Sequence, residues 1–180
     1  MTDLAKSYWD KRYTAGLTSG YGSYGVALER KVAFLKGFDI KSISEIGCGD
    51  FNFGKSILEE NYPDATYTGY DFSSVIINQN KRKYPSYSFT NEFDLPQSDL
   101  LLCVDVLFHI LDDNEVEPLL QRIEGLWTKY LAITAYEEDQ DLQSEHVRIR
   151  KVDYKRFGDP IVRAVTEATE PPLYFYLFKK

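Results

Sequence analysis

Apolar and polar positions alternate in blocks along the middle of this chain. Strand-like apolar runs fall near 42–47, 66–71, 86–90 and 99–104, with a fifth over Tyr130–Ala135. Each is short, as buried strands are. Between them, segments near 52–61, 73–83 and 113–126 carry helical spacing, and Pro63 and Pro85 close the first two. Strands alternating with helices predict a parallel sheet with right-handed crossovers, whose ligands lie beyond the carboxyl ends of the strands. The last two runs, near Ile161–Thr166 and Leu173–Phe178, are separated by Pro171-Pro172 with no room for a helix. They predict an antiparallel hairpin at the sheet edge, making seven strands with helices on both faces. Upstream, Leu4–Tyr13 reads as a helix carrying Tyr8, Trp9 and Tyr13, and Val26–Phe38 as a helix with an imperfect apolar stripe. The segment between them, Ser19-Gly20-Tyr21-Gly22-Ser23-Tyr24-Gly25, interleaves three glycines with two tyrosines. Such a loop is mobile by composition, and its rings offer flat contact area. One domain is expected over 1–180, with 1–38 as a helical cap and lid and 39–180 as the α/β core.

Composition narrows the partners. The chain has 180 residues, 27% charged and 43% apolar, the balance of a globular protein with a full core. Its net charge of −7 argues against nucleic acid, which is bound through a basic footprint. Cys48 and Cys103 fall in or just after expected strands and read as buried free thiols of a reducing compartment. Residues 1–10 lack the apolar stretch of a signal peptide, and the run Leu100–Leu111 is broken by Asp105 and too short to span a bilayer. A cytoplasmic location with no membrane partner is expected.

The chemistry concentrates at one turn. Ser44-Glu45-Ile46-Gly47-Cys48-Gly49-Asp50 joins the first central strand to a helix, and two glycines one residue apart let a ligand approach the backbone closely. Twenty-four positions after Gly47, the next strand ends at Asp71, where an acid meets ribose hydroxyls. Together these describe a nucleoside-binding half-fold, although a glycine turn without a ligand is the plainer reading of the same residues. A dinucleotide site would need a third glycine three positions after Gly49, and here the next one is Gly54. Asp50 would also repel a pyrophosphate.

A second cluster follows the fourth strand: Leu102-Cys103-Val104-Asp105-Val106-Leu107-Phe108-His109. Asp105 has two readings, helix N-cap and catalytic residue. His109 lies four positions on, which on a helix would put both on one face, where the imidazole accepts a proton from a hydroxyl or packs as a hydrogen-bonded core residue. After the fifth strand come the acids Glu137, Glu138, Asp139 and Asp141 and then His146-Val147-Arg148-Ile149-Arg150-Lys151. In an extended segment, His146, Arg148 and Arg150 would share one face, as an exposed strand or as an anion or substrate clamp.

The run Glu45-Ile46-Gly47-Cys48-Gly49 resembles the first motif of class I S-adenosylmethionine-dependent methyltransferases, and Asp105-Val106-Leu107-Phe108-His109 resembles the segment that many small-molecule methyltransferases carry after strand four. The Asn/Asp-Pro-Pro-Tyr of enzymes that methylate nucleobase or amide nitrogen is not there. With Tyr8–Tyr13, Ser19–Gly25, Asp71-Phe72-Ser73 and His146–Arg150 in the same order, nearly the whole chain is similar to a group of small bacterial class I methyltransferases of Rossmann-like fold. That resemblance implies contacts from Gly47, Cys48 and Gly49 to the methionine part of the cofactor, with Glu45 supporting that end. It implies Asp71 on the ribose, Phe72 on the adenine face, and Asn91 or Glu92 at the adenine edge. It also implies Tyr13 and Tyr21 closing over the cofactor carboxylate and Asp105 beside the cofactor. The chain departs from the pattern at Phe51, where a third glycine is frequent.

Methyl transfer from a sulfonium is an in-line displacement with a good leaving group, so the protein contributes alignment and a dry site and needs no metal. For a hydroxyl or acid acceptor, His109, Asp105 or His146 would act on the proton or orient the acceptor, and His109, His146 and Arg148 would line its pocket. The product would be S-adenosylhomocysteine. The expected activity is transfer to a small molecule, oxygen before nitrogen. The alternatives are a silent cofactor-binding partner subunit and a nucleotide-linked oxidoreductase.

Overall fold

The fold comes from a computed structural model that describes residues 3–141, 144–167 and 169–180. Helices α1 (Asp3–Thr14) and α2 (Gly25–Ala33) precede an alternating core: β1 (Ser42–Ile46), α3 (Asn52–Glu60), β2 (Thr66–Tyr70), α4 (Ser74–Lys83), β3 (Ser88–Thr90), β4 (Ser98–Cys103), α5 (Asp113–Leu126) and β5 (Trp127–Tyr136). The edge is β6 (Val162–Glu167) and β7 (Leu173–Lys179).

The seven strands form one sheet in the order β3-β2-β1-β4-β5-β7-β6. Strands β1 to β5 pair in parallel, and β7 is antiparallel to both β5 and β6. The chain winds outward from β1 to β3 and then returns to β4 on the other side of β1. The switch point, where a crevice opens, therefore lies between β1 and β4.

Strand β4 reads as unbroken leucine because it is buried on both faces. Leu100 and Leu102 pack with Ile43, Ile57, Ile77 and Phe175 on the face covered by α3 and α4. Leu101 and Cys103 pack with Val116, Leu120 and Ile123 of α5 on the other. Both cysteines are buried free thiols.

The structure moves three sequence expectations. Helix α2 stops at Ala33, not Phe38: Leu35 and Lys36 donate to the carbonyls of Val32 and Ala33 in tighter turns before the chain bends away at Gly37, φ +89°. Strand β5 starts three residues before Tyr130: α5 runs into it without a loop, and Trp127 pairs with Ser98. Segment 147–150 is not a strand, Ile149 and Arg150 are both buried, and the alternation expected there is absent. Residues 142 and 143, between the acids of 137–141 and His146, lie outside the described residues. No helix among the described residues is long and apolar enough to cross a membrane.

Candidate active site

A cavity of about 350 Å³ opens at the carboxyl ends of β1 and β4, within the size range of small-molecule sites. Its walls fall into four sides. Trp9, Tyr13, Ser19 and Ser23 form a roof, and Gly47 and Gly49 one wall. Tyr70, Asp71, Phe72 and Phe93 close one end, and Val104 to Val106, His109 and one face of α5 close the other.

The glycine wall needs glycine at both positions. Gly47 sits at φ +71° and Gly49 at φ +47°, in the left-handed region. A Cβ on Gly47 would come within 2.5 Å of Val106, and one on Gly49 within 2.1 Å of the Ser19 hydroxyl. Asp71 braces this turn. Gly49 N–H donates to one of its carboxylate oxygens at 3.0 Å and Ser73 N–H to the other at 2.9 Å. From α4, Asn80 donates to the Gly49 carbonyl at 2.7 Å. Asp71 is buried, and burial pushes its carboxyl up to about 6 against the two backbone donors.

Phe51, the departure from the motif, adopts φ +66°, the conformation a glycine would take there. Its wholly buried ring is packed by Tyr67, Tyr84, Tyr87 and Phe89, with centroids 4.7 to 5.1 Å away. Gly54, too late for a dinucleotide fingerprint, still lets α3 approach β1 and β2, since a Cβ there would meet Glu45 at 2.5 Å and Tyr67 at 2.7 Å.

The roof is tied, contrary to the mobility expected from its composition. Ser19 N–H and the Tyr24 hydroxyl donate to one Asp50 carboxylate oxygen at 3.0 and 2.6 Å, and Asp50 N–H returns a bond to Ser19 Oγ at 2.8 Å. Asn52 donates to the Ser23 carbonyl at 2.5 Å. Helix α1 docks on α4 through Ser73 Oγ donating to Asp10, and through Gln79 donating to the Tyr13 carbonyl at 3.2 Å.

His109 lines the cavity beneath Trp9, whose ring it meets edge-on at 4.9 Å. Its Nδ1 lies 2.6 Å from the His146 carbonyl. A carbonyl can only accept, so Nδ1 carries the proton and Nε2 is left as the lone-pair nitrogen. Burial pulls this imidazole down to about 4, so it is neutral at ordinary pH.

Asp105 is not a helix cap. It sits at φ +58°, the turn after it is a short 3-10 turn over Leu107–His109 without a side-chain cap, and the cap of α5 is Asp112. Asp105 N–H donates to Thr134 Oγ1 at 2.6 Å, and its carboxylate pairs with Lys31.

Of the sequence-derived residues, Tyr13, Gly47, Gly49, Asp71, Phe72, Asp105 and His109 therefore meet at one cavity, and the others stand outside its lining. Glu45 points to the opposite side of β1 from Ile46, where Tyr67 donates to it, and burial pushes its carboxyl up to about 8. Cys48 is turned under Gly69. Tyr21 faces solvent at 79% exposure, because the bonds of Ser19, Ser23 and Tyr24 hold the roof with this ring outward. Asn91 and Glu92 are exposed, and the tight turn from Thr90 to Asp94 carries Phe93 inward instead. His146 stacks on Tyr8 at 4.3 Å. The Arg148 and Arg150 clamp is occupied, since both side chains reach Asp113, at 3.5 and 2.9 Å.

The pattern missed four contributors. Along the sequence Trp9 is only an aromatic on a helix. Phe93 follows the expected residues by one position. Arg122 lies two turns below Glu115 on α5 and covers the Phe93 ring at 3.8 Å. Lys31 is wholly buried, and its one trace in the sequence is its place four residues after Ala27 on the apolar side of α2. Pro118, inside α5, cannot donate to the Asn114 carbonyl, and both residues line the cavity.

Against known families, residues 44–129 match the family described as "Methyltransferase domain". No curated protein sequence matches the chain. Among solved structures it is similar to the 1,6-didemethyltoxoflavin-N1-methyltransferase of Burkholderia thailandensis, with bound 1,6-didemethyltoxoflavin and S-adenosylhomocysteine. The TM-score is 0.69 at 14% identity, covering 98% of this chain and 87% of that one. The N-methyltransferase NodS of Bradyrhizobium japonicum in complex with S-adenosyl-l-homocysteine aligns with a TM-score of 0.68 at 12% identity, covering 99% of each chain. Human N-acetylserotonin methyltransferase in complex with SAM aligns with a TM-score of 0.57 at 18% identity, over 84% of this chain and 51% of that one. Likeness at such identities is likeness of fold.

Proposed function

We propose that this chain, a class I S-adenosylmethionine-dependent methyltransferase by its fold and by the domain matched over 44–129, transfers a methyl group to a small molecule, to hydroxyl oxygen before nitrogen. The observation that carries this reading is the Gly49–Asp71 bond, which brings a glycine turn free of Cβ atoms and a buried carboxylate to one wall of a cavity. When bound, S-adenosylmethionine supplies a methyl group on a cationic sulfur and leaves as neutral S-adenosylhomocysteine.

The chain's residues fit that group. Gly47 and Gly49 would admit the methionine part, and Asp71 would accept from the ribose hydroxyls. Phe72 and Phe93 would hold the adenine, with Tyr13 and Ser19 above. Residues 1–38 would serve as cap and lid over a core of 39–180. Trp9 and His109 would bound the acceptor, with His109 Nε2 accepting the hydroxyl proton or orienting the oxygen toward the methyl group. Because Arg148 and Arg150 are held by Asp113 and Arg122 by Phe93, a neutral acceptor suits the lining better than an anion.

Calorimetric titration tests the reading directly. Purified protein should bind S-adenosylmethionine and S-adenosylhomocysteine in the micromolar range, and Asp71→Ala should weaken both by at least roughly tenfold, the equivalent of about 1.4 kcal/mol. A wild type that binds neither removes the reading. A protein that binds both, yet turns over no hydroxyl or amine acceptor, is a binding subunit and not an enzyme.

A further inference from the structure

Lys31 is the buried charge that the transfer reading leaves unused. It is 0% exposed in the last turn of α2, and its ammonium makes two contacts that belong to different parts of the site. One is the carboxylate of Asp105, at the carboxyl end of β4. The other is the carbonyl of Gly22, at 3.2 Å, in the middle of the roof strap 19–24.

Enclosing an ammonium costs several kcal/mol unless its partners are well placed, and an apolar side chain of similar volume usually stabilises a fold as well or better. The contacts themselves must therefore account for the lysine. Asp105 is a non-glycine residue in the left-handed region whose backbone and carboxylate are both fixed by Thr134, at 2.6 and 3.2 Å. Lys31 takes the remaining oxygen and holds that carboxylate at the cavity wall. The strap is pinned at Ser19, Ser23 and Tyr24 by Asp50 and Asn52, and Lys31 adds a tie that runs from the strap across to Asp105, just past β4.

We infer that Lys31 is a positioning residue of the transfer site, a single ammonium that sets Asp105 against the cavity and draws down the strap, so that roof closure and carboxylate placement are one event. The part concerning Asp105 rests on the methyl-transfer reading; the part concerning the strap does not.

Amide hydrogen exchange on the unliganded protein separates the two. In Lys31→Met, exchange at residues 22–25 should rise at least tenfold while β1 and β4 stay protected. In Asp105→Asn, the same amides should also speed up severalfold, although the bonds of Asp105 go to Thr134 and Lys31 and not to the strap. S-adenosylhomocysteine should dissociate at least tenfold faster from either variant. The double variant should be no worse than the worse single one, as expected of a pair acting as a unit. Strap exchange within twofold of wild type in Asp105→Asn overturns the inference, whether or not Lys31→Met folds. Additive effects on dissociation overturn it too. If the wild type binds no S-adenosylhomocysteine, the function reading falls, and strap exchange still decides whether Lys31 latches the roof.

Discussion

At the scale of single residues, the decisive group is Asp71. Its carboxyl is pushed up to about 6 by burial, and in the proposed binding mode an ionised carboxylate accepts from ribose hydroxyls far more strongly than a protonated one. Cofactor affinity should therefore be level above pH 7 and weaken as pH falls through 6, by roughly tenfold at pH 5. Titration calorimetry across that range checks it, and Asp71→Asn should flatten the profile. His109 behaves in the opposite way. Held near 4 and already neutral, it should impose no rise in rate between pH 5 and 7, where an ordinary histidine base would. A limb centred near 6.5 in the pH–rate profile would remove His109 as the group that handles the acceptor proton.

At the scale of elements, the turn from β1 into α3 shows how a motif can change its residue and keep its shape. Phe51 holds the left-handed geometry of a glycine, at a cost of roughly 1–2 kcal/mol. It does so because its ring is gripped by four aromatic neighbours from β2, β3, the end of α4 and the turn between α4 and β3. Placing a glycine there with Phe51→Gly relieves that strain but forfeits about 3–5 kcal/mol of aromatic packing. The variant should be less stable by about 2 kcal/mol in urea unfolding, despite matching the motif better. A stability equal to wild type would mean that the aromatic cluster closes over the gap.

At the scale of the whole molecule, the buried carboxyls set how stability follows pH. Glu45 is raised by burial to about 8 and Asp71 to about 6, so both hold protons in the folded chain that the unfolded chain has released. Their contribution is fully present below the ordinary carboxylate range and is lost as pH rises through 6 and then 8. His109, depressed by burial, contributes above its ordinary value near 6.5, and that contribution is lost as pH falls toward 4. Thermal unfolding followed by circular dichroism should show wild-type Tm falling between pH 7 and 9. Glu45→Gln keeps an acceptor for the Tyr67 hydroxyl without the titration, and should remove most of that fall. Parallel curves for the two proteins would mean that Glu45 is already ionised in the fold.

The order of strands and helices, the parallel core, the edge hairpin and the glycine turn with its acid were all legible in the chain, because each is written in local spacing. Hydrophobic period, prolines after helices and paired glycines are properties of neighbouring residues, so they survive without coordinates. What fills the site was legible only in part. Gly47, Gly49, Asp71, Phe72, Tyr13, Asp105 and His109 line one cavity, whereas Asn91, Glu92, Tyr21, His146 and Arg148 do not. Their directions depend on turns and on partners far away in sequence: the turn at 90–94 that presents Phe93, Asp50 holding the strap, Tyr8 under His146, and Asp113 holding two arginines. Lys31 is the sharpest case. On its helix it is one more basic residue, and only its tertiary contacts with the strap and with Asp105 give it two partners. Sequence alone determined which backbone this protein builds and where that backbone opens. Tertiary structure decided which side chains face the opening, because a side chain's direction is set by what packs around it.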